Sequence, residues 1–556
     1  MNQTRDNLPN MQAAQSWERT RADHLLTAVT AVAVVVGIVI RFLPRSGLWL
    51  DEALSVNIAN LPVGDITAAL RHDGHPPLFY FLLHYWCAVF GDSDWSVRAM
   101  SGVFSVLTLP LLYLAGARVA ARSDAGPLGR RRTGLLVMAV GAAMPFAIRY
   151  GAEARMYSIV ILLVAIGYLL VDELLSGTRE GSNRLLTAIA AGLVSAALLW
   201  THYWAMWLLA AVGLLALWRS WRESDPVRRA GARYLVGALI GGGVLFIPWL
   251  SVLLYQSSHT GTPWGDSYGP ASVLVITILD FAGGRFGVAQ LLTYFLVPLI
   301  LIALFVAIDK RNGRADGAEV DGLVIRTSPT PRIRTEMVVL TLTLGIGWAA
   351  AAASGNTFSS RYASVVLPLF VIAVGVGLAV FRERFVTLGL LLAVLAMCFF
   401  GAVGAARSDR SQNGELAAAI VADAARSGTP SVVMTCPDQL AVSLQRELEH
   451  RAPKTLGRHN VLPYPEGGSP NFIDWVDYGE RNKASSPEAF LDRFRDRIPD
   501  DATVYLVTST HYRTFEGKCE ELIGLLSQVR SASNTIALNT DGLDEAAGLW
   551  IFKPAS

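Results

Sequence analysis

Long uninterrupted runs of apolar residues recur along most of this 556-residue chain. A helix needs about 20 predominantly apolar residues to cross the hydrocarbon core of a bilayer, and several runs approach that length. Apolar residues make up 52% of the sequence and charged residues only 17%, a balance that is rare in water-soluble proteins. The runs therefore predict an α-helical, multi-pass membrane protein.

Eleven runs are long enough to cross a membrane, or nearly so, at residues 25–43, 97–117, 134–150, 156–174, 184–200, 203–218, 234–255, 288–308, 336–353, 363–381 and 385–405. They predict about 11 transmembrane helices in a membrane domain over residues 25–405, after a short tail of residues 1–24. Arg19 and Arg21 precede the first run, and no evident cleavage site for a signal peptidase follows it. We therefore expect the first run to be an uncleaved anchor.

The basic residues of the loops predict an orientation for these spans. Arginines and lysines concentrate in three connections, 118–132, 219–233 and 310–334, whereas the alternate loops hold few of them. Cytoplasmic loops of multi-pass proteins carry this excess of positive charge. With the N-terminus in the cytoplasm, eleven spans place all three basic connections there and the C-terminus outside. The sequence therefore predicts a plasma-membrane protein with its C-terminal region outside the cytoplasm.

A shorter apolar stretch, residues 78–90, does not fit the alternation of the loops. It is thirteen residues long and contains His84, and counting it as a span would place the later basic loops on the wrong side. Its aromatic content is typical of helices that lie in the membrane interface. We therefore expect an interfacial helix within a long outer loop, residues 43–94.

Soluble patterning begins near residue 406 and continues to residue 556. Strand-like and helix-like segments alternate there, at 431–435, 440–448, 503–509, 516–529 and 549–552. This alternation predicts a small α/β domain outside the cytoplasm. Cys436 and Cys519 lie in it and could pair in an oxidising compartment, but the sequence leaves the pairing open.

Ionisable residues gather at the outer ends of the spans, where each costs free energy unless it is paired or functional. Asp51 and Glu52 form the first such group, just after the first span. Two adjacent carboxylates can bind a cation, orient a sugar hydroxyl or accept its proton. The alternative interpretation is the solvated N-terminus of a helix.

His72 and His75 form the second group, directly before two prolines and the short apolar stretch. Histidines can donate hydrogen bonds to anionic oxygens. One alternative is an ordinary loop that starts a helix after proline. A zinc site is disfavoured because no third histidine or cysteine lies at ligand spacing.

Glu153 is the centre of the third group, with Arg149, Arg155 and Tyr157 beside it at the outer end of the third span. Charges that open an apolar run are costly unless they are paired or contact a ligand. The alternative is a purely structural pair between Glu153 and Arg149 or Arg155.

Further candidates face the same side. His202 and Tyr203 form a tight outer turn, and Arg361 is the only basic residue in its outer loop. Arg361 could instead reach to the interface with its long side chain. Arg285, in a glycine-rich stretch, is a weaker candidate for binding phosphate. Carboxylates, histidines and single arginines on one membrane face suit a reaction on an anionic, membrane-held substrate, whereas a net charge of +2 gives no reason to expect nucleic acid.

The motifs WLDE, HPPLFY, EARMYS and SSRY, the last followed by LPLF, occur in this order. Their order resembles the GT-C superfamily of glycosyltransferases, in particular the family 39 or protein O-mannosyltransferase-like branch, over about residues 25–405. Within that superfamily, the length and the outer α/β tail resemble actinobacterial enzymes that build cell-envelope glycans, including the mannosyltransferases that cap lipoarabinomannan. The resemblance implies an outward-facing site, a donor sugar linked to polyprenyl phosphate, and a glycan or glycolipid acceptor.

The resemblance also implies roles for the candidate residues. Asp51 would be the catalytic carboxylate. Substrate or acceptor binding would fall to Glu52, Glu153, His202 and Tyr203, and binding of the donor phosphate to Arg361, His75, Arg155 and Tyr157. No cofactor is required by this reading, although a divalent cation, Mg²⁺ or Mn²⁺, could assist.

Three other functions are compatible with the same features. An arabinosyltransferase of the same superfamily would differ in its sugar, which no single residue specifies. A transporter or flippase for a lipid-linked sugar would bind the substrate without reacting with it, but transporters usually place polar residues near the bilayer midplane. A non-enzymatic scaffold would present its tail to envelope partners and tolerate the loss of Asp51.

Overall fold

The structure is a computed structural model, and it describes residues 7–43, 46–123, 125–177, 181–260, 269–284, 287–310, 321–325, 328–354, 358–381, 383–407, 409–453, 461–509, 513–539 and 542–554. Sixteen α-helices precede the C-terminal domain: α1 Asn7–Arg41, α2 Leu50–Ala59, α3 Val63–Asp73, α4 Leu78–Phe90, α5 Asp94–Ala121, α6 Pro127–Ala143, α7 Pro145–Gly151, α8 Tyr157–Ser176, α9 Gly181–Leu199, α10 Ala205–Arg222, α11 Pro226–His259, α12 Pro270–Ala282, α13 Gly287–Ala303, α14 Arg334–Ser354, α15 Leu367–Ala379 and α16 Arg384–Arg407. A short hairpin of strands β1 Val306–Lys310 and β2 Asp321–Ile325 joins α13 to α14, and the 3-10 turn Ser360–Val366 leads into α15.

The helical part confirms a multi-pass membrane protein. Within the described residues, eight helices are long and apolar enough to cross a membrane, and ten crossings result if each of two bent helix pairs counts as one. The one remaining predicted span, the sixth along the chain at residues 203–218, is present as helix α10. It is not among these crossings, because Arg219 and Arg222 occupy its last turn and reduce its apolar character.

The predicted span 134–150 is not one straight helix. It is divided into α6 and α7, which meet at an angle of 57° at Met144. Pro145 has no N–H to donate and disfavours helical geometry in the residue before it. Met144 accordingly has an extended ψ of 117°, so the break turns the chain towards the residues that follow α7.

The region before the predicted span 288–308 holds a helix that the sequence analysis missed. Helix α12 packs beside α13, and their axes differ by 112°. The second helix ends at Ala303, five residues before the predicted end of the span. Arg285, the weaker phosphate-binding candidate, lies outside the described residues.

The outer loop contains three helices. The stretch 78–90 is helix α4, as predicted. Helix α2 begins directly after Trp49, so that Asp51 and Glu52 both lie in its first turn, where carboxylates interact favourably with the helix dipole. Glu52 is nevertheless fully buried, which rules out a solvated helix end at this residue.

The C-terminal domain is α/β, as predicted. Its five strands are β3 Ser431–Cys436, β4 Val461–Pro463, β5 Thr503–Thr508, β6 Arg530–Ile536 and β7 Gly548–Pro554, and its helices are α17 Asn413–Ser427, α18 Ala441–Arg451, α19 Tyr478–Ala484, α20 Pro487–Arg493 and α21 Lys518–Val529. The strand order is β4-β3-β5-β7-β6. Strands β4, β3 and β5 run parallel, and β7 is antiparallel to β5 and β6. A disulfide joins Cys436 at the end of β3 to Cys519 in α21, which resolves the pairing that the sequence left open.

Candidate functional site

Asp51 lies where the outer loop meets the membrane helices. Its Oδ2 atom is 2.8 Å from Nη1 of Arg361 and 3.7 Å from Nη2 of Arg155. The side chain of Asp51 is 18% exposed and that of Arg361 is 25% exposed. The structure therefore brings together the predicted catalytic carboxylate and two of the predicted phosphate-binding arginines, although 310 residues separate Asp51 from Arg361.

Arg155 is held by groups on both sides of its guanidinium. One end donates to the Ser55 hydroxyl at 3.0 Å and the other lies 3.1 Å from Nε2 of His75. The Nδ1 atom of His75 is 2.8 Å from the carboxylate of Asp73. Because a guanidinium can only donate, Nε2 of His75 accepts from Arg155. The proton of the neutral imidazole is therefore on Nδ1, which donates a hydrogen bond to Asp73. In this arrangement His75 orients Arg155, and direct contact of His75 with a donor phosphate stays a prediction.

Asp73 anchors this chain of contacts. It is buried, and Tyr80 donates to the same carboxylate oxygen at 2.9 Å. Burial alone would raise the pKa of Asp73, but the hydrogen bonds from His75 and Tyr80 and the charge of Arg155 hold that pKa below its usual value. Asp73 is therefore a carboxylate at neutral pH, and it fixes the tautomer of His75.

Aromatic side chains surround the two arginines. The Tyr157 ring lies 5.7 Å from the His202 ring, and the Arg361 guanidinium lies 5.8 Å from the centre of Tyr362. Three buried donors here have no hydrogen-bond partner within the described residues: the Tyr157 hydroxyl and the Nε atoms of Arg155 and Arg361. Buried polar groups are nearly always paired, so unsatisfied donors beside a carboxylate are a feature of a ligand site.

His202 is a neutral imidazole among the aromatic side chains that surround Arg155 and Arg361. Burial, followed by the positive charges of Arg155 and Arg361, lowers its pKa to about 3. Its Nδ1 accepts the backbone N–H of Trp204 at 3.2 Å, so the proton is on Nε2, which can donate to a substrate oxygen. His202 thus has the chemistry required by its predicted role.

Tyr203, the neighbour of His202, makes other contacts. It donates to Gln256 and accepts from the indole of Trp249 at 2.9 Å. Gln256 in turn donates to the Leu70 carbonyl at 2.7 Å. These contacts brace the outer loop against α11, and the predicted contact of Tyr203 with substrate stays a prediction.

Glu52 and Glu153 lie together in a separate, closed cluster. Glu52 receives two hydrogen bonds from Arg98, at 2.7 and 2.5 Å, and one from the backbone N–H of Ala154 at 2.9 Å. Arg410 bridges the two acids, 2.9 Å from Glu153 and 3.6 Å from Glu52. Both carboxylates are almost fully buried, so in this state they position the site rather than face a substrate.

The environments of these two acids differ. Burial would raise the pKa of Glu52, but the charges of Arg98 and Arg410 and the hydrogen bonds from Arg98 and the Ala154 N–H keep it lowered. Burial dominates at Glu153 and raises its pKa, although Arg410 and Arg149 oppose that effect. The Arg149 pair predicted as an alternative exists at 3.9 Å, but Arg410 lies closer.

The C-terminal domain supplies residues to the site that the sequence analysis missed. Arg410 reaches Glu153, and Asp544 pairs with Arg149 at 3.0 Å. Glu545, which is buried, accepts from Ser443 at 2.8 Å and from the backbone N–H of Leu50 at the start of α2. Burial raises the pKa of Glu545 to about 7. No sequence pattern signals these contacts, because they join segments hundreds of residues apart.

A divalent cation would need several oxygen or nitrogen ligands. Within the described part of the chain, no group of three or more His, Cys, Asp and Glu side chains could hold a metal ion. His72 pairs with Asp474, whereas His75 faces Asp73 and Arg155, so the two histidines do not form a common zinc site. Assistance by Mg²⁺ or Mn²⁺ stays a prediction.

Comparison with known proteins places the fold. No protein-family model matches the sequence, and no curated protein matches it either. The structure matches the crystal structure of ArnT from Cupriavidus metallidurans bound to undecaprenyl phosphate with a TM-score of 0.54 and 14% identity, covering 95% of this chain and 98% of ArnT. The apo structure of the same protein matches with the same TM-score and identity and covers 97% of this chain. The chain therefore shares the fold of ArnT over nearly its whole length.

Proposed function

We propose that the protein is a membrane glycosyltransferase that moves a sugar from a polyprenyl-phosphate-linked donor to an acceptor hydroxyl. The observation that carries the proposal is the Asp51–Arg361–Arg155 cluster, in which one partly exposed carboxylate faces two guanidiniums with unsatisfied donors. Such a set can hold a phosphate and accept a proton at adjacent positions. The fold supports this assignment, since ArnT, which shares it, was crystallised with undecaprenyl phosphate.

The proposed reaction is a single displacement. The acceptor oxygen forms a bond to the anomeric carbon while the bond from that carbon to the phosphate oxygen breaks. Asp51 takes the proton of the acceptor hydroxyl, and polyprenyl phosphate leaves with the bonding electrons. Arg361 and Arg155 stabilise the charge that develops on the phosphate. Direct displacement inverts the anomeric centre, so a β-mannosyl phosphate donor would give an α-mannoside.

Asp51 and the phosphate compete for the same arginine in this scheme. In the structure Arg361 contacts Asp51 at 2.8 Å. A donor phosphate carries more acceptor oxygens than the carboxylate and would take over part of that interaction. Donor binding would thereby loosen Asp51 and leave it able to accept a proton, which orders the steps as donor first and proton transfer second.

Mannose is the proposed sugar and an arabinan terminus of a cell-envelope glycan, as in lipoarabinomannan, the proposed acceptor. Both follow only from the sequence resemblance. An arabinosyl donor is the alternative that the same site chemistry would accept. Assaying the purified protein with labelled polyprenyl phosphomannose and phosphoarabinose, each with an arabinan oligosaccharide, separates the two.

The proposed orientation places the site and the C-terminal domain outside the cytoplasm. Arg98 at one end of α5 belongs to the site, whereas Arg122, just past its other end, pairs with Asp172 and Glu336. A helix rises roughly 1.5 Å per residue, so these arginines are roughly 36 Å apart, about the thickness of a membrane. The carbonyl of Arg332, in another basic connection, accepts from Arg122, and the Cys436–Cys519 disulfide of the C-terminal domain suits an oxidising compartment.

Replacing Asp51 tests the proposed function. Asp51→Asn keeps the size of the side chain and removes the proton acceptor, so sugar transfer should fall by about 10²–10⁴-fold. Asp65→Asn, at an exposed acid of α3 in the same outer loop, is the matched control and should transfer at the wild-type rate. Wild-type transfer by a correctly inserted Asp51→Asn protein would eliminate the base role. Retained movement of a lipid-linked sugar across vesicles without transfer would point to a transporter.

A further inference from the structure

A groove of about 340 Å³ lies between the outer loop and the C-terminal domain. One wall comes from α2, α3 and the residues that end α3, including Asp73. The other wall comes from the segments that follow β3 and β4, including Asp438, Glu466, Phe472 and Asp474. The groove is distinct from the Asp51 cluster but adjoins it, because Asp73 of the groove contacts His75, which contacts Arg155 of the cluster.

The position of the groove on the sheet is one that favours ligand binding. Strands β4, β3 and β5 are parallel, so their carboxyl ends lie at the same edge of the sheet. Open α/β sheets usually bind ligands in crevices outside the carboxyl ends of their strands. Asp438 follows β3 and Pro463 ends β4, and both line the groove.

The side chains of the groove indicate the class of ligand. Asp73, Asp438, Glu466 and Asp474 provide carboxyl groups, and Phe472 provides an apolar face that is 37% exposed. The one arginine of the lining, Arg481, pairs with Glu466, so carboxyl groups outnumber the cation. Carboxylates repel phosphate and acidic sugars but accept hydrogen bonds from hydroxyls. A neutral sugar ring has hydroxyls at its edge and an apolar C–H face, which matches this combination.

The carboxyl groups are held in place by neighbouring donors. Tyr478 donates to Asp438 at 2.5 Å, and Asp474 lies 3.0 Å from His72. Burial raises the pKa of Asp438 to about 7, so at neutral pH this group can donate as well as accept. Hydroxyl groups also do both, which makes them suitable partners.

A short chain of contacts leads from the groove to the candidate base. Asp73 binds His75, His75 orients Arg155, and Arg155 lies 3.7 Å from Asp51. These contacts place the groove beside the Asp51 cluster, so an oligosaccharide held in the groove would lie next to the candidate base. We propose that the groove between the outer loop and the C-terminal domain is the acceptor site and binds a neutral oligosaccharide; this inference rests on the proposed function.

Direct binding tests the inference without requiring turnover. Full-length protein in lipid nanodiscs is titrated with a neutral arabinofuranose tetrasaccharide, a neutral mannose tetrasaccharide and, as the charged control, a tetragalacturonate. We expect at least one neutral probe to bind and the tetragalacturonate to bind at least about tenfold more weakly, equivalent to about 1.4 kcal/mol. Equal or tighter binding of the acidic probe, or binding of a serine-containing peptide but of neither neutral sugar, would overturn the inference.

Variants locate the binding. Phe472→Ala should weaken binding of the neutral probe by about tenfold, because it removes the apolar face of the groove. Val529→Ala changes an apolar residue of the same domain that is 65% exposed and remote from the groove, and it should bind like the wild type. In transfer assays Phe472→Ala should raise the KM for the acceptor and leave the KM for the donor unchanged.

The outcomes separate this inference from the proposed function. Neutral-sugar binding that Phe472→Ala does not alter would refute the groove, whatever Asp51→Asn does to transfer. Binding that Phe472→Ala weakens, combined with wild-type transfer by Asp51→Asn, would retain the groove and refute the proposed mechanism.

Discussion

Asp51 and Glu52 are neighbours in the chain but lie in opposite environments. Asp51 is partly exposed and faces Arg361 and Arg155, whose Nε atoms have no partner within the described residues. Glu52 is fully buried, and Arg98, Ala154 and Arg410 surround its two oxygens. A carboxylate whose neighbours have spare donors can exchange partners with a substrate, whereas one enclosed by partners can only hold the structure. Two acids that look equivalent in the sequence therefore have different expected effects when they are changed.

The two environments also come from different parts of the molecule. The open cluster is built from the outer loop, the start of α8 and the 3-10 turn before α15. The closed cluster needs Arg410, which follows the last membrane helix and belongs to the C-terminal region. The C-terminal domain thus stabilises the closed cluster through Arg410 but supplies none of the groups proposed to react.

Glu52→Gln tests this contrast with the largest expected effect on stability. It leaves Arg98 buried without a full counter-charge, and breaking a buried ion pair costs about 3–5 kcal/mol. The loss should be seen as a lower unfolding temperature of the detergent-solubilised protein. Asp51→Asn should change the unfolding temperature far less, because its side chain is partly exposed. Equal destabilisation by the two substitutions would remove the distinction between the clusters.

Arg361→Gln tests the open cluster. Loss of one positioned donor to a developing charge lowers kcat by about 10²–10³-fold, and the unfolding temperature should change little. The measurement is the initial rate of sugar transfer at saturating donor and acceptor. Arg71→Gln is the control. Arg71, in helix α3 of the outer loop, stacks on Tyr255 of α11 and does not contact Asp51. An unchanged kcat with a raised donor KM would mean that Arg361 contributes to ground-state binding alone.

Arg410→Gln should have an intermediate effect, because it removes the shared cation while Glu52 keeps Arg98. Glu153 loses its nearest cation and is left with Arg149 at 3.9 Å. Leaving a buried acceptor without its charged partner costs about 1–3 kcal/mol. Thermal unfolding again provides the measurement. Restoration of most of the stability by the double change Arg410→Gln and Glu153→Gln would show that the lost pair is the cause.

The membrane architecture was predictable because the bilayer imposes it on composition. Runs of apolar residues located the spans, and the stretch 78–90 was recognised as a separate short helix, α4. What the pattern could not show was local geometry, such as the break at Met144, which depends on the proline that follows it. Helix α12 was missed because its 13 residues are too few for a membrane span.

For the site, too, the sequence identified the residues but not their local environments. Isolated charges beside apolar runs identified Asp51, Arg155 and Arg361, since such placement is costly without a purpose. The sequence could not divide Asp51 from Glu52, because burial depends on side chains from distant segments. Arg410 and Glu545 escaped notice for the same reason: they lie in a polar region where charged residues are common.

Glu545 is a third carboxyl group near α2, and it extends the comparison of Asp51 with Glu52. Its replacement has the smallest expected effect on stability. Glu545 is buried like Glu52, but serine hydroxyls and the Leu50 N–H surround it in place of guanidiniums, and burial raises its pKa from 4.5 to about 7. The folded protein therefore keeps a proton at Glu545 that the unfolded chain releases. Stability from this group is present below about pH 4.5 and is lost as the pH rises to about 7.

Glu545→Gln should remove this pH dependence. Relative to the wild type, the variant should gain about 1–2 kcal/mol between pH 5 and pH 7.5, because each pKa unit corresponds to about 1.4 kcal/mol and part of the effect is relaxed by solvent. Unfolding temperatures measured across that range give the difference. The matched control is Glu516→Gln, an exposed glutamate of the same domain, which should follow the wild type throughout. If the unfolding temperatures of Glu545→Gln and the wild type change with pH in parallel, Glu545 is ionised in the folded protein. A buried carboxylate near Asp51 would then be stabilised without a paired arginine.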